Sequence, residues 1–148
     1  MNTLLFGFVI VGLASQALTA PQTVNSASVQ QVEQIFYAMK IEIQSFVRTF
    51  ENATIDKIPD ALTEAIKIIY TFKDTMFTQE TINEATLAGS DIIAYLESGK
   101  FVKFMLRFFR DIADSAESYK NIAPSAVEII KLINNFGVKM RERNDLFN

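Results

Sequence analysis

The spacing of the apolar residues restricts the fold more than any other feature of this chain. Over residues 28–50, Val29, Val32, Phe36, Met39, Ile43, Phe46, Val47 and Phe50 recur at intervals of mostly three or four, which puts them on one narrow stripe of a helix with a period of about 3.6 residues. Glu33, Gln34, Lys40, Gln44 and Arg48 fall on the other face, the distribution of a helix with one side in water. Ser28 followed by Gln31 supplies a capping-box start. No stretch sustains the period-two alternation of a half-buried strand.

Similar stripes recur down the chain. Pro59 and Asp60 open a second helix, expected to end near Phe77, with Leu62, Ala65, Ile66, Ile69, Phe72 and Met76 at helical spacing. Thr78 can cap a third, lined by Ile82, Ala85, Gly89, Ile92, Ile93 and Leu96, and Ser98-Gly99 is its natural stop. A fourth spans residues 100–119, and a fifth starts at Pro124 and runs to about residue 143. The expected fold is all-α: a compact bundle of about five antiparallel helices, forming one domain over residues 28–148.

What precedes that domain has the order of a secretory signal. Residues 4–13 are almost entirely apolar, Ala14-Ser15-Gln16-Ala17 follows, and no charged residue occurs before Glu33. Cleavage after Ala17 puts small residues at both positions that require them, so residues 1–17 read as a signal peptide and 18–27 as a flexible lead-in. The apolar run falls short of the about 20 residues a membrane-spanning helix needs. The protein is therefore expected to be secreted, without a transmembrane span. Asn52-Ala53-Thr54 is an N-glycosylation sequon placed where the first helical pattern ends.

Composition removes most chemistry. The chain has no His and no Cys, and with them go the usual general base, the thiolate nucleophile, the common zinc ligands and any disulfide. Its five glycines form no phosphate loop, and no Ser-x-x-Lys or Gly-x-Ser-x-Gly sequence is present. A glycosidase needs two acids facing each other across a cleft, whereas Asp111 with Asp114 and Glu80 with Glu84 are neighbours on one helix face. Neither an enzyme nor a cofactor is expected. A net charge of −3 disfavours nucleic acid as a partner. Hydrophobic residues at 49%, including 13 Phe, are enough for a core that holds without staples.

The apolar faces are wider than a surface helix requires. In the fourth helix Phe101, Val102, Phe104, Met105, Leu106, Phe108, Phe109, Ile112, Ala113 and Ala116 cover an arc of about 200°. The fifth is broad too, interrupted only by Asn134 and Arg141. Such surface can be bundle core, the wall of an apolar cavity or lipid contact, or a self-association face. Phe101, Phe104, Met105, Phe108, Phe109 and Ile112 are the candidate ligand or interface residues.

Charge on that helix runs against its dipole, with Lys100, Lys103, Arg107 and Arg110 first and Asp111, Asp114 and Glu117 after them. Local pairs, Arg107 with Asp111 and Arg110 with Asp114, account for this in one way. A basic collar of Lys103, Arg107 and Arg110 for an anionic headgroup accounts for it in another. The expected function is that of a secreted binding protein for an apolar small molecule or lipid. The alternative is a secreted effector acting through an extracellular protein or as a homo-oligomer.

Overall fold

The computed structural model describes residues 26–140, so the signal segment, nearly all of the lead-in and the expected end of the last helix lie outside the described residues. Within them the chain is helical and contains no strand. Helix α1 spans Ser26–Glu51 and buries Val32, Phe36, Met39, Ile43, Phe46, Val47 and Phe50, the expected stripe without its first member. It begins two residues ahead of the Ser28 cap, because no Pro or Gly near Ser26 opposes another half turn. A 3-10 turn at Ile55–Lys57 leads into α2, Ile58–Thr71, with Pro59 in its first turn where a missing N–H costs nothing.

Two expected helices are shorter than their apolar patterns. Helix α2 stops at Thr71 rather than near Phe77, and the chain turns through Phe72, whose carbonyl accepts from the N–H groups of Thr75 and Met76 at 3.1 and 3.0 Å. The turn drives Met76 and Phe77 into the core, where Phe77 stacks on Phe108 with ring centroids 5.8 Å apart. The expected third helix is two: α3, Gln79–Ser90, and α4, Ile92–Glu97. Asp91 adopts an extended conformation between them and accepts the Ala94 N–H on its carboxylate at 3.1 Å. Gly89, Ser90 and Asp91 are poor helix interior residues, and Asp is a strong N-cap, so the chain re-caps instead of continuing. Ile93 is consequently exposed, while Tyr95 is buried. Gly99, at φ 80°, ends α4 as expected.

Helices α5, Phe101–Tyr119, and α6, Pro124–Met140, are the last of the described elements. Phe36 packs on Tyr119 and Phe50 on Phe101, so α5 runs opposite to α1. Glu33 meets Ser125, Lys40 meets Glu128 and Glu51 meets Lys139, so α6 runs parallel to α1. One continuous core draws on all six helices, with Phe36, Phe46, Leu62, Ala85, Tyr95, Phe108 and Ile129 among its members.

Candidate functional site

The breadth of α5 has a structural explanation in two parts. Phe101, Phe104, Phe108 and Ile112 point into the bundle and are buried. Phe104 meets Tyr95 at 5.8 Å on the α4 side, and Phe108 sits among Phe46, Phe77 and Phe109. Met105 is buried as well, so five of the six candidate ligand residues are core. Met105 and the half-buried Phe109 also line an apolar groove of about 530 Å³ facing α6.

Val102, Met105, Leu106 and Phe109 form the α5 wall of that groove. Ile133, Asn134, Phe136, Gly137 and Met140 form the α6 wall. The floor is rigid, since Phe109 and Phe136 meet at 5.0 Å, and each of them also packs on a ring from α1. The α5 lip is Leu106, whose 64% exposure is the highest of the large apolar side chains described. Gly137 keeps the α6 wall low, because a Cβ there would meet nothing within 4 Å. Val102 and Leu106 belong to the wide arc visible in the sequence. The α6 wall depends on how α5 and α6 pack on each other, which neither stripe sets alone.

The basic collar does not assemble. Arg107 turns to the α3 side and pairs with Glu80 at 3.5 Å. Arg110 lies with its Nε 3.9 Å from Asp111, and Lys103 is exposed outside the groove lining. The expected Arg107–Asp111 and Arg110–Asp114 pairs are not formed among the described residues. Asp111 is buried instead and takes the backbone N–H of Thr78 at 3.0 Å and its hydroxyl at 3.1 Å. The backbone turn that shortens α2 brings Thr78 there, a contact no local spacing encodes.

Two smaller hollows differ in character. One of about 340 Å³ is lined partly by Asp74, Thr78, Asp111, Asp114, Ser115 and Ser118, and one of about 320 Å³ by residues of α1 and α6 including Arg48, Glu51 and Lys139. Among the described residues no group of three or more acidic side chains is placed to hold a metal ion. No described helix is long and apolar enough to cross a membrane. Asn52, the sequon residue, is exposed just beyond α1 and donates its side-chain N–H to the Arg48 carbonyl at 2.9 Å. Neither a family model nor a characterised protein nor a solved structure matches this chain.

Proposed function

We propose that this chain is a secreted, non-catalytic binding protein that holds an apolar small molecule between α5 and α6. The observation that carries the reading is the groove itself: about 530 Å³, with eight apolar or glycine residues and one amide in its lining. Small-molecule sites fall at about 300–1,000 Å³ and have this mixture of apolar walls and few polar groups. Secretion rests on the apolar run at residues 4–13 followed by small residues at Ser15 and Ala17. The test is to purify the protein from its native source, extract it with organic solvent and identify the released compounds by mass spectrometry. Stoichiometric release of one lipid or other apolar compound supports the reading. A folded native protein that releases nothing and takes up no apolar probe rejects it.

The second reading is a protein partner or a second copy covering the same face. It is favoured by Leu106 and by Val138, next to Gly137, which are 64% and 56% exposed. Light scattering separates these readings: a stable dimer that dissociates on Leu106→Glu and binds no apolar probe assigns the face to self-association.

A further inference from the structure

We infer that the face around the α5–α6 groove docks on an anionic lipid surface, with Leu106 and Val138 entering the headgroup layer and Lys103, Arg110 and Lys131 meeting lipid phosphates. The inference goes beyond the small-molecule reading, because it stands on exposed side chains at and beyond the groove's lips and holds whatever the groove contains. On α5, Lys103, Leu106 and Arg110 are all exposed and lie three and four residues apart, so a cation flanks the Leu106 lip about one turn to either side. On α6 the exposed series is Lys131, Asn134 and Val138 at the same spacing, and Asn134 lines the groove. Two neighbouring helices thus present the same pattern across one apolar groove: an exposed aliphatic side chain with a cation on the same side of its helix.

These cations are available. Lys103 and Lys131 make no ion pair among the described residues, and Glu128, the one acid of α6, is held by Lys40 at 2.6 Å. Arg110 is 59% exposed and reaches Asp111 only at 3.9 Å, and that carboxylate already takes two bonds from Thr78. Arg107 takes no part, since it turns to Glu80. Aliphatic side chains beside Lys or Arg suit a bilayer interface, where the apolar part sits among headgroups while the long stems carry their charges to the phosphates. The hollow between the lips, about 530 Å³, would stay unfilled under a flat protein face, whereas headgroups and acyl chains adapt to it. The chain as a whole carries −3, so attraction to an anionic surface has to come from a local patch and fixes the orientation of docking. The basic first half of α5, unfavourable to the helix's own dipole, is the half that carries the Leu106 lip.

The test measures flotation of the full secreted chain with vesicles of phosphatidylcholine alone and of phosphatidylcholine mixed with phosphatidylglycerol, at low and high salt. Binding should require the anionic lipid and fall with salt. Lys103→Gln with Lys131→Gln should weaken it about tenfold or more, at about fivefold per charge. Lys67→Gln with Lys73→Gln removes the same charge from exposed positions on α2 and just after it, and should leave affinity within about twofold. Leu106→Ser with Val138→Ser should weaken binding about tenfold. All these side chains are exposed, so the far-ultraviolet circular dichroism should not change. The chain has no Trp, so Leu106→Trp reports insertion by a blue shift of its emission when anionic vesicles are added. Absence of binding to anionic vesicles by the folded chain, or an equal loss in the Lys67 and Lys73 pair, overturns the proposal. Vesicle binding untouched by the two Ser substitutions and matched by soluble poly-glutamate assigns the cations to an acidic macromolecule and overturns it too. Uptake of the apolar dye Nile red by the same proteins tests the small-molecule reading separately: dye bound without vesicle binding leaves the groove standing and strikes the docking alone.

Discussion

Glu33 on α1 caps α6 from across the bundle: its two carboxylate oxygens take the backbone N–H of Ser125 at 2.9 Å and the Ser125 hydroxyl at 2.6 Å. The first N–H groups of any helix lack intrahelical partners, and a carboxylate placed there also complements the positive end of the dipole. Lys40 follows on the same face with an ion pair to Glu128 at 2.6 Å. That pair raises the Lys40 pKa and lowers that of Glu128. These two side chains, on the face that reads as plain solvated surface, set the register of α1 against α6. Glu33→Ala should lower the unfolding free energy by about 1–2 kcal/mol, measured by urea denaturation. Lys40→Ala, at the exposed pair, should cost much less. Equal costs would show that Glu33 is not acting as a cap.

Asp111 is a second cross-bundle anchor. Its removal leaves the Thr78 N–H without its acceptor, so Asp111→Ala should cost about 1–3 kcal/mol. A double-mutant cycle with Thr78→Ala should give a clear coupling energy, because the Thr78 hydroxyl also accepts from the Thr81 N–H at 3.2 Å and joins the carboxylate to the start of α3. Strict additivity would contradict the contact.

Two tyrosines should resist alkali. Burial pushes the Tyr95 phenol well above its usual range, assisted by the hydrogen bond it donates to Glu84 at 2.7 Å, and burial also raises Tyr119. The folded state thus holds these protons more tightly than the unfolded chain. The resulting stabilisation is complete below the free phenol value of about 10 and drains away as pH rises beyond it. Absorbance at 295 nm should therefore show a delayed fraction that ionises as the protein unfolds. Simultaneous ionisation of all tyrosines near the free value, with helical structure intact, would refute this.

Core and groove should respond separately to mutation. Phe108→Ala should cost about 3–5 kcal/mol, as expected for a buried ring, and Phe104→Leu less, as a milder change in side-chain volume. Neither residue lines the groove, so Phe104→Leu should leave Nile red affinity within twofold of the natural protein. A large affinity loss in a folded Phe104→Leu protein would move the site toward α4.

Processing is testable apart from binding. Secreted material should begin at Leu18, as N-terminal sequencing would reveal. Expression in a eukaryotic host should add a glycosidase-sensitive mass increment that Asn52→Gln removes, since Asn52 and Thr54 are both exposed. With a heterologous secretion signal in place of residues 1–17, absence of the increment would show that the sequon is unused even when the chain enters the pathway.

The sequence by itself determined that the chain is helical and, along most of its length, which side is buried, because a stripe such as Phe36, Met39, Ile43 and Phe46 has only one face to hide, whatever it meets. It also carried the stop at Gly99 and the start at Pro59, where backbone preference is local. Tertiary structure decided the rest. A wide arc is legible as excess apolar surface, but whether Phe104 or Leu106 is the excess depends on which neighbour covers each side of α5. The break at Asp91 is a local re-capping that the longer apolar pattern conceals, whereas the early end of α2 goes with the burial of Met76 and Phe77 in the core. The roles of Glu33 and Asp111 come from partners remote in sequence, and no spacing rule reaches that far: a polar side chain's free energy is set by what surrounds it, and only the folded chain supplies the surroundings.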